Sequence, residues 1–331
     1  MRVLAAPDKF RGTASARDIA GAVAAAARAV GASCDTAPMA DGGEGTLEAL
    51  GGPNRTSLVT GPLGEPTNAP WRLSRKVAVI EMALASGLDV AGGPAHNDPV
   101  NATTAGVGEL ISAAVASGAR RVLVAVGGSA TTDGGLGAVE ALPSVARMTG
   151  VEIVVACDVR TPFLEAAEVF GPQKGASAAQ VELLSRRLAR LAQIYDSDYG
   201  VDVTELPGAG AAGGLAGGLA ARGARLVNGF EVVAQEVELR ERIEIADVVV
   251  TGEGRYDATS LEGKVVGGVA ELAAAVGTRA LAVVGSADDA VRCPDGMEVV
   301  DLSARFGAER ALADPCGCVT AALQHVLAES L

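Results

Sequence analysis

The chain has few aromatic residues, few histidines and a deficit of positive charge, and each shortage excludes a class of function. Aromatic residues make up 3% of the 331 positions, too few for a surface that stacks nucleic-acid bases. The formal net charge is −13, whereas nucleic-acid binding depends on basic faces that displace counterions. The two histidines, His96 and His325, lie in a turn-rich segment and near the C-terminus, so histidine acid–base chemistry is not expected. We therefore expect no nucleic-acid partner.

Cysteine and long apolar runs are also scarce. The five cysteines form no CxxC pair, which argues against a disulfide framework and against a zinc site. No apolar run approaches the roughly 18 residues that a membrane helix needs, and the first apolar stretch is too short for a secretory signal. We expect a cytoplasmic protein without a membrane partner, and the sequence leaves a monomer and a homodimer equally open.

Short apolar runs alternate with helical segments along most of the chain, which predicts an α/β fold with much parallel sheet. The predicted strands are Val3 to Ala6, Val77 to Ile80, Val122 to Val126, Ile153 to Ala156, Asp247 to Val250 and Leu281 to Val284. The predicted helices include Ser15 to Val30, Thr104 to Ser117 and Ser177 to Tyr195. The length suits two α/β domains. We expect residues 98–289 to form an inserted flavodoxin-like domain with a doubly wound sheet, and residues 1–97 with 290–331 to form a discontinuous mixed α/β domain.

Loops of glycine, hydroxyl and carboxylate residues follow several of the apolar runs. The clearest is Gly127 to Gly135, and similar loops occur at Met39 to Thr46 and at Thr251 to Asp257. Open α/β sheets bind ligands at the carboxyl ends of their strands, where backbone N–H groups suit anions. Lysines in glycine-containing or acidic loops also suit a phosphate ligand, and three of the chain's lysines have that setting: Lys9, Lys174 and Lys264. The sequence therefore predicts a site for a small anionic ligand.

The common nucleotide-binding motifs do not account for these loops. A G-x-G-x-x-G pattern occurs at Gly208 to Gly213, but Pro207 precedes it and no continuous apolar strand leads into it, as a dinucleotide site requires. Lys264 is followed by Val265, so the P-loop pattern is absent. A nicotinamide-dependent dehydrogenase is consequently the less favoured alternative.

Taken in order over nearly the whole chain, the loops resemble the signature blocks of the bacterial type I glycerate kinase family. Ala6 to Gly12 resembles the family's APDSFKG, Pro38 to Thr46 reads PMADGGEGT, and Gly127 to Gly135 resembles GGSATNDGG. Further blocks are found at Glu81 to Leu88, Thr103 to Ile111, Ala156 to Val159, Phe170 to Ala176, Gly208 to Leu215 and Val250 to Lys264.

This resemblance implies transfer of the γ-phosphoryl group of ATP to D-glycerate, with Mg²⁺, giving 2-phosphoglycerate or 3-phosphoglycerate in a cleft between two domains. The catalytic candidates are Asp8, Asp41, Asp133, Lys174 and Asp257. Asp41 and Asp133 are also the candidate Mg²⁺ ligands. The candidates for binding substrate and phosphate are Lys9, Arg11, Gly42, Gly43, Glu44, Gly128, Ser129, Gly134, Gly135, Asp158, Glu253 and Lys264.

Several departures from the family pattern leave the acceptor open. Lys9 stands where the family usually has serine, and Arg11 where it usually has lysine. Thr132 and Thr161 replace asparagines, and residues 258–260 read Ala-Thr-Ser where the family has glutamine followed by threonine. Loss of a polar group can change specificity by orders of magnitude. The alternatives are a kinase of another small hydroxy acid and a non-catalytic sensor of small anions or nucleotides with the same fold.

Overall fold

The computed structural model describes residues 1–288 and 290–329. Its strands are β1 Arg2–Ala5, β2 Ser33–Thr36, β3 Arg55–Thr60, β4 Pro66–Ser74, β5 Val77–Glu81, β6 Arg121–Ala125, β7 Glu152–Cys157, β8 Arg225–Asn228, β9 Val248–Tyr256, β10 Arg279–Ala287 and β11 Met297–Asp301. Its α-helices are α1 Ala16–Ala29, α2 Thr46–Ala49, α3 Ala83–Ser86, α4 Ala105–Ala116, α5 Leu136–Ala141, α6 Val145–Met148, α7 Ala166–Phe170, α8 Ala178–Tyr199, α9 Leu215–Ala221, α10 Gly229–Glu236, α11 Leu239–Glu244, α12 Val265–Val276, α13 Leu302–Phe306, α14 Ala308–Ala313 and α15 Pro315–Ala328. Short 3₁₀ helices cover Phe163–Glu165, Pro172–Lys174 and Ala258–Leu261.

The chain divides into two compact units. The first unit comprises Met1–Asp41, Glu48–Leu50 and the chain from Phe230 onward. The second comprises Gly42–Leu47 and Gly51–Gly229. Along the chain, the second unit is therefore inserted into the first.

The limits of the two units do not coincide with the predicted limits at 97/98 and 289/290. Strands β3, β4 and β5 belong to the inserted unit because β5 pairs with β6. Strands β9 and β10 belong to the discontinuous unit because β9 pairs with β1. Positions 289 and 331, which end two of the predicted segments, lie outside the described residues.

The sheet of the first unit is parallel, with the described strands in the order β11-β10-β9-β1-β2. Numbered within the unit and counted from β2, this order is the 2-1-3-4-5 of flavodoxin-like sheets. Val3 lies opposite Cys34 on β2 and opposite Val248 on β9. The α/β class is thus confirmed. The flavodoxin-like sheet was predicted for the inserted segment, but it lies in the discontinuous unit. An apolar run identifies a buried strand but does not identify the sheet to which the strand belongs, which explains why the flavodoxin-like sheet was assigned to the wrong segment.

Both faces of this sheet are buried, as a parallel sheet requires. Val3 and Ala5 pack into an apolar cluster with α1 and α15 on one face. Leu4 and Ala6 pack into a second cluster with α12 on the other face. Residues 3–5 of β1 are therefore buried, and the loop that follows the strand carries candidate site residues.

The sheet of the second unit is mixed, and its described strands follow sequence order from β3 to β8. β3, β4 and β5 form an antiparallel meander, while β5 to β8 are parallel. Residues 61–65, which include two glycines and a proline, form the turn between β3 and β4. Trp71 on β4 is 2% exposed and packs in the core of this unit.

The segment Gly208 to Leu215, called here the glycine stretch, has a closely packed backbone. Residues 201–207 form no strand before it, so the structural context of a dinucleotide fingerprint is missing. A Cβ built on Gly213 would lie 2.0 Å from the carbonyl oxygen of Thr131. The stretch therefore brings its backbone against the loop after β6, and the dehydrogenase alternative loses its only support.

The three predicted helices are confirmed as α1, α4 and α8. The Oγ of Ser177 accepts a hydrogen bond from the N–H of Gln180 at 3.4 Å, and the Gln180 side chain accepts one from the N–H of Ser177 at 2.8 Å. This capping box fixes the start of α8. Within the described residues, no helix combines the length and the apolarity needed to cross a membrane.

Candidate functional site

In the first unit, the loop after β1 lies beside the second half of β9, because residues 251–256, which were expected in a loop, continue that strand. The N–H of Asp8 donates to the carbonyl oxygen of Gly252 at 2.8 Å. Gly254 in β9 is so close to the loop after β1 that a Cβ on Gly254 would lie 3.3 Å from the backbone nitrogen of Arg11. The parallel pairing of β1 with β9 therefore brings two predicted loops together.

Asp8 is a buried acid within this cluster. The N–H of Lys9 donates to its Oδ1 at 2.7 Å. The pKa of Asp8 is raised to about 6, chiefly by burial and also by the Asp41 carboxylate, while Lys9 and Lys264 oppose the shift. Because Asp41 acts on Asp8 through its charge, the two predicted acids share one electrostatic environment.

Glu253, in the second half of β9, is the second perturbed acid of the cluster. Burial raises the pKa of Glu253 to about 7, in spite of a hydrogen bond from the Ser260 side chain, and the Asp8 charge adds to the increase. Within the described part of the chain, its buried Oε1 has no hydrogen-bond partner. A buried carboxylate oxygen without a hydrogen-bond donor lowers the stability of the fold unless it is protonated, binds a cation or accepts a hydrogen bond from a ligand.

A hydroxyl network joins the end of β9 to Lys264, which precedes α12. Asp257 accepts hydrogen bonds from the N–H and the Oγ1 of Thr259 at 2.9 and 2.7 Å. These bonds hold the pKa of Asp257 below its usual value. The Nζ of Lys264 donates to the Oγ1 of Thr259 at 3.0 Å. Residues that depart from the family pattern therefore contact two of the candidate site residues.

In the second unit, the loop after β6 lies against the segment Gly42 to Glu44. Gly127 approaches the Cα of Gly43, which would be 3.0 Å from a Cβ on Gly127. Gly128 has φ of +65°, and a Cβ there would lie 2.3 Å from the Oε1 of Glu44. Two loops that the sequence places 85 residues apart, counted from 42 to 127, thus form one surface, and the left-handed backbone of Gly128 favours glycine there.

The carboxylate of Asp133 is held by four donors. Its Oδ2 accepts from the N–H and the Oγ1 of Thr104 at 2.9 and 2.8 Å and from the N–H of Gly137 at 3.2 Å. Its Oδ1 accepts from the N–H of Gly135 at 3.1 Å. Burial raises the pKa of Asp133, and these hydrogen bonds oppose the increase. Such a pattern orders the loop and the start of α5.

Lys174 is buried, with 2% of its surface exposed. Its Nζ donates to the carbonyl oxygen of Thr131 at 2.6 Å. Burial lowers the pKa of Lys174 to about 7, while the Asp133 charge opposes the shift. Lys174 therefore holds the loop after β6 through this hydrogen bond. Its catalytic role remains a prediction.

The other predicted residues of the second unit differ in their settings. Gly134 and Gly135 use their N–H groups inside the protein, toward the Gly213 carbonyl oxygen at 3.0 Å and the Asp133 carboxylate. Ser129 is 8% exposed and forms a β-bridge with Gly87. Asp158 is exposed after β7. Among these glycines, Gly128 is exposed, whereas Gly42, Gly134 and Gly135 are buried.

The fit of a divalent cation can be tested on these carboxylates. Among residues 1–288 and 290–329, no group of three or more His, Cys, Asp or Glu side chains could hold a metal ion. Mg²⁺ commonly needs only one or two carboxylates when phosphate oxygens supply the rest. Asp8 and Asp41 fit that role, since burial is the main cause of the raised pKa of Asp8 and a cation would relieve the repulsion by which Asp41 adds to it. The carboxylate of Asp133 is already occupied by its donors.

Sequence reasoning misses some of the residues that position the site. Glu81, 6% exposed at the end of β5, accepts a hydrogen bond from the N–H of Leu47 at 2.6 Å, and so holds the segment after Gly42. The available signal was an acid directly after the apolar run Val77 to Ile80. Thr104 gave no such signal, because its contact with Asp133 spans 29 residues.

Fold and site together define an α/β enzyme that handles small anionic ligands, with acids and lysines at the strand ends of one unit and glycine loops at those of the other. The profile of the glycerate kinase family matches residues 3–146 and 143–326. The chain is 40% identical to the glycerate 2-kinase of Escherichia coli (strain K12), over 88% of this chain and 87% of that protein. It is 38% identical to the glycerate kinase of Halalkalibacterium halodurans, over 86% and 85%. A crystal structure described as that of glycerate kinase 2 from Salmonella typhimurium LT2 is similar with a TM-score of 0.86, at 35% identity and over 100% and 98% of the two chains.

The chain therefore belongs to the glycerate kinase family, and the resemblance noted in the sequence is confirmed. Its relatives are phosphotransferases with an alcohol group as acceptor.

Proposed function

We propose that the protein transfers the γ-phosphoryl group of ATP to a hydroxyl of D-glycerate in the cytoplasm, giving 2-phosphoglycerate and ADP, with Mg²⁺ as the cation. The choice of the 2-hydroxyl follows the relative named glycerate 2-kinase. The observation that carries the proposal is the pair of perturbed acids, Asp8 and Glu253, set beside Lys264 at the carboxyl end of one parallel sheet. Phosphoryl transfer requires these groups: a proton acceptor, oxygen ligands for the cation and positive charge on the phosphoryl oxygens.

Glu253 is the proposed proton acceptor. Its pKa of about 7 lies near neutral pH, where a general base is most effective. Its unpartnered Oε1 can accept the hydroxyl proton of the acceptor. As that proton leaves, the hydroxyl oxygen forms its bond to the γ-phosphorus, the bond from the γ-phosphorus to the β,γ-bridging oxygen breaks, and ADP departs.

The remaining charges have separate proposed roles. The carboxylates of Asp8 and Asp41 would hold Mg²⁺ together with phosphate oxygens, and the cation would neutralise charge on the transferred group. Lys9, Arg11 and Lys264 bind the glycerate carboxylate or phosphoryl oxygens. In the second unit, the backbone at Gly128 and in the segment 42–44 binds phosphate, while Asp133 and Lys174 hold the loop after β6 in shape.

A second candidate is the same reaction with another small hydroxy acid. The hydrogen bond from Lys264 to Thr259 favours this alternative acceptor, because Thr259 belongs to the segment that departs from the family pattern. A changed partner shifts the position of the lysine charge and hence the acceptor that fits it.

The test is a steady-state assay of ADP release with ATP and Mg²⁺, using D-glycerate, L-glycerate, glycolate, lactate and no acceptor. We expect D-glycerate to give the highest kcat/KM. Glu253→Gln should lower kcat about 100-fold or more, because it removes the proton acceptor. Glu262→Gln, at an exposed acid in the neighbouring loop, is the matched control and should keep wild-type rates.

The outcomes separate the claims. A preference for another acid would move the proposal to the second candidate. ATP consumption that is independent of any acceptor would contradict both. Wild-type kcat in Glu253→Gln would remove only the role given to that side chain.

A further inference from the structure

The second unit contains a cavity of about 450 Å³ that the roles described so far do not use. It lies between α8, Val100 and the end of the loop after β6. Its volume falls within the range of about 300–1,000 Å³ that small-molecule pockets occupy. The feature is a candidate ligand site because of its lining as well as its size.

One wall of the cavity is apolar. It is formed by leucine and isoleucine side chains of α8, with one leucine from the start of α5: Leu136, Leu183, Leu188, Leu191 and Ile194. Leu136 is 40% exposed although it lies in this wall. Glycerate, a small polar anion, would leave such a wall uncovered, whereas a flat aromatic body would cover it.

Three arginines of α8 also line the cavity: Arg186, Arg187 and Arg190. Arg187 donates to the carbonyl oxygen of Val100 at 2.7 Å, so it joins the two sides of the cavity, and Arg190 donates to Gln193 on the same helix at 3.3 Å. The acid among the lining residues is Asp133, whose carboxylate is held by its four donors. The lining is thus positive in a chain of net charge −13, and arginine both pairs with phosphate and stacks on aromatic rings.

Thr132 supplies an independent sign of a missing ligand. The side chain lines the cavity and is 1% exposed. Among the residues that the structure describes, its Oγ1 has no hydrogen-bond partner. Buried hydroxyl groups are normally paired, so this one is available to a ligand. Thr132 is also a position that departs from the family pattern.

We propose that this cavity binds the adenine nucleotide, with the base against the leucines of α8 and the phosphates toward the arginines. Thr132 and Asp133 belong to the same loop as Gly128, so a nucleotide in the cavity lies along the loop to which phosphate binding is assigned. The inference rests on the proposed function for the choice of nucleotide, and it adds the residues that would recognise it.

The test is calorimetric titration of the full chain with ADP. The double variant Arg186→Ala/Arg190→Ala should raise Kd about 10-fold or more, as expected for lost hydrogen bonds to a charged ligand. Leu183→Trp should do the same by filling the cavity. The matched controls are Arg147→Ala and Val145→Trp, at exposed positions of α6 outside the lining, and they should bind ADP as the wild type does. Melting curves of each variant verify folding, and the arginine variant changes exposed side chains only.

Kinetics separate this inference from the proposed function. We expect the variants to raise KM for ATP while KM for D-glycerate stays unchanged. Wild-type Kd for ADP in both cavity variants would overturn the nucleotide site, even if the protein phosphorylates D-glycerate. Loss of ADP binding in the variants, in a protein that does not phosphorylate D-glycerate, would support the site and contradict the proposed function.

Discussion

At the residue scale, Asp133 is the acid whose surroundings are most completely specified. Asp133→Ala leaves the N–H groups of Thr104, Gly135 and Gly137 without their acceptor. We expect the free energy of unfolding to fall by about 3 kcal/mol, since each buried donor left unpaired costs about 1–3 kcal/mol. Chemical denaturation measures the change.

The matched control is Asp202→Ala, at an exposed aspartate of the same unit that accepts two hydrogen bonds from Thr204. Its loss should matter much less, because water replaces the missing acceptor. Equal effects of the two variants would contradict the positioning role of Asp133.

Glu253 gives the protein a pH-dependent stability. The folded carboxyl has a pKa of about 7, against an ordinary value of 4.5, so the folded state binds the proton over that interval and the unfolded state does not. The free energy of unfolding contributed by this group therefore falls as pH rises from 4.5 to about 7, and is constant above that. Asp8 acts in the same direction from 3.8 to about 6.

Denaturation curves between about pH 4.5 and 7.5 in EDTA measure this effect. Glu253→Gln should flatten the decline with rising pH, whereas Glu262→Gln should keep the wild-type profile. A Glu253→Gln protein whose stability declines as steeply as that of the wild type would contradict the argument.

Residue chemistry could be predicted from the sequence only in part. An acid soon after an apolar run marked Asp8 correctly as a residue of the loop after β1, because the local pattern contains that information. Glu253 was expected in a loop, whereas it lies inside β9. The occupation of the Asp133 carboxylate depends on Thr104, which local sequence does not connect to it. Lys174 reads as a loop lysine in the sequence, whereas the structure buries it.

At the scale of elements, the close packing of the glycine stretch against the loop after β6 leaves no room for a side chain at Gly213. Gly213 has φ of +67°, and a Cβ there would lie 2.0 Å from the Thr131 carbonyl oxygen. Gly213→Ala should therefore lower the free energy of unfolding by about 3 kcal/mol or more, the sum of left-handed backbone strain and overpacking.

Gly223→Ala is the control for backbone strain alone. Gly223 has φ of +89° but no atom within 4 Å of an added Cβ, so the expected loss is about 1–2 kcal/mol. Urea denaturation compares the two variants, and similar losses would show that the close contact contributes nothing.

The strands themselves could be predicted, since every predicted apolar run lies in or next to a strand of the structure. Their partners could not. The predicted runs Asp247 to Val250 and Val122 to Val126 are both followed by glycine-containing segments in the sequence, yet β9 pairs with β1 and β6 pairs with β5. Long-range pairing depends on the packing of whole helix layers, which periodicity does not report.

At the scale of the whole molecule, the insertion explains why the predicted limits differ from the observed units. The chain leaves the first unit after Asp41 and returns at Phe230, and the sequence predicts that the glycines after Asp41 form part of a ligand-binding loop, not a boundary. The order of the signature blocks indicated the family without knowledge of either limit. Membership in the family could thus be predicted from sequence, while the division into units required the structure.

The central claim is the transfer of a phosphoryl group from ATP to glycerate, and identification of the product tests it most directly. Phosphorus NMR of a reaction with ATP, Mg²⁺ and D-glycerate should show ADP together with 2-phosphoglycerate, and Glu253→Gln should form both much more slowly. ADP and inorganic phosphate without any phosphorylated glycerate would contradict the account.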